Sequence, residues 1–526
     1  MTLCRPIAAA AACALAFGAH AGVAIEGSGA GPDTLSRTTA ERMVVEPQGI
    51  GHIQLIPYYS TNAGNQTLFS VTNEDVVNGK VVKVRFRSMG NGDTVFDFTL
   101  FLGPGDAWTA NISQEAGGKA LLRTADTSCT SPYLSRQGDG TPFVTNELPP
   151  VTASFTEAGR DAWTREGFVE VINAADIPPT LNANGRVGQA NPLFTATRQA
   201  GNGVPPCGSA ELGVFASDVL NEADAASKGL DTPSGGLSAY AFIINTRSAF
   251  VAWSVEATAL RAVTGQGKRG RGRLVVSPQT ADTVEVGKTR LLTADPLLTQ
   301  ARMGARQYHF PDLSTPYLAA TASATPFAQA THLAEAMAVT SVSNQTSTLQ
   351  AIASMTDFVV TEPMKRYFVG LDYAANSDAD KLVIPTTNGF YNTPNMVFSQ
   401  NRACYRYPQN VSPFRGYNRA GQSYGGDQGA IIGGFGPPSW TILCGGTSVY
   451  AINSGPPTSV LKSNAAHLAY PFTAFQEGWL RVNTPGAGAG LPIIGFSISS
   501  AVGDASNGIS TNYGWSVKHK GTPFER

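Results

Sequence analysis

The sequence predicts an all-β protein of two sandwich-type, immunoglobulin-like domains with a short helical insertion between them, and three observations carry that expectation. Four short apolar alternations follow one another between Gln66 and Ile112, with a turn signal at each join. Charged residues make up only 14% of a 526-residue chain of net charge -1, while Gly, Pro, Ser, Thr and Asn are plentiful. Apolar runs closed by an asparagine recur in both halves, at Asn73, Asn173, Asn245 and Asn453, a residue that tolerates the left-handed turn region.

The element order follows from period and punctuation. Arg5 precedes an apolar run from Ile7 to Phe17 and then Ala19-His20-Ala21, so residues 1–21 read as a signal peptide too short to span a bilayer. Residues 22–46 are small and polar and read as a flexible leader or a donated arm. Residues 47–285 form the expected N-terminal sandwich. In it Val82, Val84 and Phe86 share one face of a strand and Lys83, Arg85 and Arg87 the other, the period of two of a half-buried strand with a wet face. Ser88 to Asp93 is a Gly/Asn-rich hairpin connection, after which Phe96, Phe98, Leu100 and Leu102 repeat the pattern. Ser248 to Val263 and Arg273 to Val276 read as a hairpin pair around the basic tip Gly267–Arg273, a solvated turn or a finger for an anionic group.

Residues 286–340 form the helical connector. Asp295-Pro296 begins a helix reaching Arg306, and a second begins near Pro326 with His332 and Glu335 at i and i+3, short of any zinc-binding spacing. Strands resume at Asp357–Thr361 and Lys365–Leu371 in the C-terminal sandwich, residues 341–526.

The chain holds six cysteines, of which Cys4 and Cys13 fall in the signal. The four that remain favour disulfides in an exported chain, and three connectivities are open. Cys129 with Cys207 and Cys404 with Cys444 keeps each pair inside one domain. The segments Phe310–Tyr317, Thr356–Tyr367 and Gly490–Phe496, with Glu166–Ile172, resemble a group of exported, β-rich bacterial cell-envelope proteins with no established activity. That resemblance implies export and a surface role, and supplies no catalytic residues.

No G-x-S-x-G elbow, P-loop, dinucleotide fingerprint or haem motif occurs, which argues against an enzyme built on those sites. Asp97, Asp106, Glu166 and Glu170 are the acids available for a glycosidase pair. For metal, Asn376-Ser377-Asp378-Ala379-Asp380 with Asp372 upstream places oxygen ligands at alternate loop positions and makes calcium the best candidate ion, ahead of zinc at the cysteines or at His332, though it lacks the glycine and closing acid of an EF-hand. The most distinctive loop runs from Tyr405, Arg406 and Tyr407 through Arg415, Tyr417 and Arg419 to Tyr424. Its Tyr and Arg side chains on a Gly/Pro scaffold suit a sugar or a neighbouring subunit.

The charge balance argues against nucleic acid, and no later segment is apolar enough for a transmembrane helix. The leading expectation is a non-enzymatic structural protein of the periplasm, cell surface or extracellular space that self-associates as a layer or filament. The alternatives are a carbohydrate-binding or adhesin protein and then a glycan-active enzyme.

Overall fold

The structure is a computed structural model that describes residues 23–134, 140–213, 219, 221–245, 251–276, 312–323, 325–373, 375–384, 389–407, 413–425, 441–452, 458–463, 466–468, 476–484, 490–503 and 512–523. It is mostly β-sheet with few helices, as the sequence predicts. The expected signal peptide, the first expected helix (Asp295–Arg306) and Asn453 lie outside the described residues.

In the N-terminal half a seven-stranded sheet runs in the order Arg42–Glu46, Thr258–Val263, Ile53–Ser60, Glu166–Ile177, Gly79–Ser88, Thr94–Leu102 and Cys129–Ser131. A six-stranded sheet faces it, in the order Thr141–Pro142, Ala120–Arg123, Ala107–Gln114, Asn65–Asn73, Leu237–Asn245 and Val251–Glu256. Val84, Phe86, Phe98 and Val171 of the first interlock with Phe69, Val71, Trp108 and Ile243 of the second. This is the apolar stripe that alternation predicts. The expected hairpin after Ser248 instead splits between the sheets, because the chain crosses from one to the other at Ala257.

The C-terminal half repeats the two-layer scheme. One sheet orders Ser423–Gly425, Phe414–Asn418, Glu477–Asn483, Ala338–Ser347 and Leu491–Pro492, with Lys520–Pro523 also paired to Ala338–Ser347. The other orders Ala466–Leu468, Thr447–Ile452, Met355–Thr361, Ile494–Val502 and Asn512–Lys518. Phe414, Leu480 and Val482 meet Phe358, Tyr450 and Ile452 between them. The opposite face of this second sheet, with Val359, Phe496 and Ile498, joins the N-terminal core beside Ile56 and Tyr58. The two halves therefore share apolar contacts rather than hanging from a linker.

That packing corrects the expected wet face. Strand Gly79–Ser88 is buried along its whole length, with Asp312 of the connector and Tyr367 of the C-terminal half covering its charged side at Arg85 and Arg87. Lys83 pairs with Asp97, Arg85 lies 3.5 Å from Asp97 and 3.8 Å from Asp312, and Arg87 Nη2 lies 2.9 Å from Glu170. Arg87 also donates to Tyr367 Oη at 2.8 Å. Burial alone would lower the Arg87 pKa, but Glu170, Tyr367 and Asp312 outweigh it and hold the guanidinium charged. The turn at Ser88–Asp93 is likewise buried: the Asn91 amide donates to Tyr373 Oη and Asn401 O, and Tyr373 donates to Asp93. Gly445, at φ +79°, permits a close approach here, since a Cβ there would sit 2.0 Å from Gly90 O.

The leader expectation is also corrected. Val23–Ile25 pairs with Leu274–Val276, Arg42–Glu46 pairs with Thr258–Val263, and Leu35 is buried between them. Its small polar residues are anchors, not spacers: Ser36 donates to Asp231, and the Gly27 amide donates to Thr38 Oγ1. The strand-closing asparagines take no left-handed turn, since Asn73, Asn173 and Asn245 all have negative φ and are buried. Asn73 instead donates to Asn78 O and Gly103 O. Lys365–Tyr367 is a 3-10 turn rather than a strand, and only Gly370–Leu371 of that run pairs. Helix Pro326–Met337 forms as expected, capped by Thr325, with His332 Nδ1 3.9 Å from Glu335.

His519 gives this packing a pH dependence. Its Nε2 donates to Val359 O at 2.7 Å, its Nδ1 accepts from the Asn344 amide at 3.0 Å, and its ring stacks on Phe358. Burial pushes its pKa from 6.5 to about 3, so the folded protein holds it neutral. The unfolded chain binds this proton more readily, so its contribution is complete above pH 6.5 and is lost as the pH falls toward 3, at about 1.4 kcal/mol per pH unit. His519→Phe should be less stable at pH 7, yet lose about 1.4 kcal/mol less than the parent for each pH unit between 6 and 4. Urea unfolding at three pH values measures the difference, and parallel pH profiles would refute it.

Candidate functional site

The distinctive loop of the sequence divides in the structure. Tyr405 and Tyr407 are buried, with their hydroxyls donating to Phe390 O (2.6 Å) and Asn483 O (2.9 Å), so they serve the core and not a ligand. Arg406 is exposed at the end of strand Arg402–Arg406. Arg415, Tyr417 and Arg419 lie instead on and beyond strand Phe414–Asn418, which pairs with Glu477–Asn483. In that pair Leu480 and Val482 point to the core, so Trp479 and Arg481 take the outer face.

Register then assembles a site that the linear sequence scatters. Tyr417 stands directly opposite Trp479, and Trp479 opposite Gln345. The Tyr417 and Trp479 rings stack at 3.9 Å between centroids and 9° between planes, and the Arg481 guanidinium lies 5.4 Å from the Trp479 ring centre. Arg419, at the hairpin tip, pairs with Glu477. An open groove of about 1120 Å³ runs past this group, lined also by Gln345, Asn418, Lys520 and Trp515, whose side chain is 37% exposed. Its volume lies near the upper end of the range of roughly 300–1,000 Å³ usual for ligand pockets.

The other candidates go elsewhere. Asp378 pairs with Lys381 at 3.0 Å, Asp380 accepts from Ser377 at 2.6 Å, and both sit in the short helix Asp378–Lys381, while the Asp372 amide donates to Lys381 O. Asn376 lies in the preceding turn. Among the described residues no group of three or more His, Cys, Asp or Glu side chains gathers to hold a metal ion. Of the acids considered for glycoside cleavage, Asp97 and Glu170 are committed to the buried ion pairs. Glu166 accepts from Tyr58, with burial raising its pKa, and Asp106 accepts from the Ala107 amide. The basic tip splits: Lys268 and Arg269 are exposed, whereas Arg271 lies 2.9 Å from Asp231 and 3.5 Å from Asp176.

The disulfides join Cys129 to Cys207 and Cys404 to Cys444, as expected, consistent with a compartment more oxidising than the cytoplasm. Among the described residues no helix is long and apolar enough to cross a membrane. No protein family matches the chain, and no curated protein or solved structure matches it.

Proposed function

We propose that this chain is an exported, non-enzymatic carbohydrate-binding protein that holds a polysaccharide in the groove beside Trp479 and Trp515. The observation that carries the reading is the pair of tryptophans that line the groove, Trp479, braced by its stack on Tyr417, and Trp515 across from it, edged by Gln345, Asn418 and Arg481. Sugars present apolar ring faces and a rim of hydroxyls, and rigid aromatics bordered by amide and guanidinium donors meet both at low entropic cost. On a glycan array followed by calorimetry, Trp515→Ala should weaken binding of the best ligand about tenfold, roughly 1.4 kcal/mol. No glycan binding by the parent, or full affinity in the variant, would sink the reading.

One observation favours a self-assembling layer or filament subunit as a second reading. The outer face of the six-stranded sheet exposes Leu68, Tyr240 and Phe242, with Phe242 directly opposite Leu68. An oligomer in light scattering that Phe242→Ser dissolves would support it. The route through a donated leader has lost its support, because residues 23–25 and 42–46 pair within their own chain.

A further inference from the structure

We infer that the polysaccharide bound in this groove is anionic, bearing carboxylate or sulfate groups; the inference rests on the carbohydrate-binding reading above. A row of cations runs beside the aromatic row. Arg415 stands directly opposite Arg481, Arg481 opposite Ser343, and Ser343 opposite Lys520, so three cations share one face of one sheet in a single cross-strand line. Residues paired in register project to the same face, and neighbouring strands lie about 4.8 Å apart, so the line from Arg415 to Lys520 spans about 14 Å. Two residues along the strands runs the parallel row of Tyr417, Trp479 and Gln345.

Like charges directly opposite each other destabilise a sheet, and an arginine pair in that position calls for a compensating anion. None is at hand. Among the described residues Arg415, Arg481 and Lys520 form no ion pair with a carboxylate, and Glu477, the acid lining the groove, is taken by Arg419. Arg481 Nε is buried without a hydrogen-bond partner, and the Trp479 ring orients its guanidinium. A guanidinium fork fits a planar carboxylate or a sulfate with two parallel hydrogen bonds, which a neutral sugar hydroxyl cannot return. The chain carries a net charge of -1, so this line of cations is a local feature and not the overflow of a basic protein.

The two rows together specify the ligand. The aromatic row selects a polymer with flat apolar faces, and the cationic row selects one whose acidic groups recur along the same edge. An acidic peptide would satisfy the second row and leave the first without a stacking partner.

The test measures binding of the full mature chain to polygalacturonate, dextran sulfate, poly-glutamate and neutral polysaccharides (dextran, mannan and xylan) at 50 mM and 300 mM NaCl. Arg415→Gln, Arg481→Gln and Trp515→Ala are measured alongside, with circular dichroism to verify folding. The expected result is binding to polygalacturonate or dextran sulfate at least tenfold tighter than to any neutral polymer. Each arginine variant should lose about tenfold, salt should weaken the parent more than the variants, and Trp515→Ala should weaken binding of acidic polymers as well. Preference between the two acidic polymers tells carboxylate from sulfate, and either supports the inference. Equal binding of neutral polymers with unchanged arginine variants overturns it and leaves the carbohydrate reading standing. Tight poly-glutamate binding lost in the same arginine variants but not in Trp515→Ala overturns it in favour of a peptide. Failure to bind any polysaccharide overturns both readings.

Discussion

Glu170→Leu should destabilise the fold by about 3–5 kcal/mol, because it strips a fully buried guanidinium of its carboxylate. Glu170 and Arg87 are both almost wholly inaccessible, 2.9 Å apart, with Tyr367 Oη bonded to Arg87 at 2.8 Å and 3.3 Å from Glu170. In the leucine variant Arg87 keeps Thr94 and Tyr367 as hydrogen-bond acceptors and loses the charge that holds it ionised. The double variant Arg87→Met/Glu170→Leu removes more polar groups, yet should recover at least half of the loss, since no ion is left stranded. Equilibrium urea unfolding followed by far-ultraviolet circular dichroism reads both values. A single-variant loss below about 1 kcal/mol would mean that water reaches this seam, and a double variant as weak as the single would show that the cost is one of packing. Tyr367 belongs to the C-terminal half and Arg87 and Glu170 to the N-terminal sheet. The same experiment therefore reports whether the halves unfold together.

This seam marks where the sequence stops being legible. The alternation from Val82 to Arg87 identifies a strand and its apolar face correctly, and the core between the N-terminal sheets follows from it. The same alternation cannot say whether the other face meets water or a second layer. Lysine and arginine at every other position look alike in both cases, and the groups that cover Arg85 and Arg87, Asp312 and Tyr367, lie far away in the chain. The leader fails for a related reason. Low hydropathy between Gly22 and Glu46 reads as freedom when the segment is held by hydrogen bonds and two short strand pairings, which hydropathy does not register. The disulfide pairing was legible because locality within a half decides among three connectivities.

The candidate site shows the same division. Arg415, Tyr417 and Arg419 are visible in sequence as an aromatic and basic loop; Arg419 lines the groove, while Tyr417 and Arg415 stand in register with its lining residues Trp479 and Arg481. Their neighbours Tyr405 and Tyr407 have the same composition and are core residues, since they flank the exposed Arg406 on the inward-facing side of the chain. Trp479, Arg481, Gln345, Lys520 and Trp515 were missed. A signal existed for the first two: in Glu477-Gly478-Trp479-Leu480-Arg481-Val482 the alternation sets Trp479 and Arg481 against Leu480 and Val482. Their junction with Tyr417 and Gln345 depends on pairing between strands separated by long stretches of chain, and register of that kind is not written in any one segment.

Removing the Cys129–Cys207 disulfide, as Cys129→Ala/Cys207→Ala, should cost about 4 kcal/mol, the second of the two large effects. The bond closes a loop of sequence separation 78, and constraining such a loop in the unfolded chain accounts for that magnitude. What the loop contains makes the site sensitive. It encloses strand Glu166–Ile177, which lies between Ile53–Ser60 and Gly79–Ser88 in the seven-stranded sheet, while Cys129 itself sits on the edge strand Cys129–Ser131. The Cys207 backbone amide also donates a hydrogen bond to Ala196 O at 2.9 Å, so the chain without the disulfide keeps a local contact and the native sheet survives at lower stability. The Cys404–Cys444 loop, of separation 40, is about half as long; loop entropy grows only logarithmically, so Cys404→Ala/Cys444→Ala should lose only about 0.6 kcal/mol less than the first pair. Urea midpoints of the two double variants, compared with the parent at one pH, provide the measurement. Near-equal losses would place the effect in the unfolded chain. A loss confined to the first pair would place it in the folded state, where the edge strand releases the sheet that carries Glu170 and Arg87.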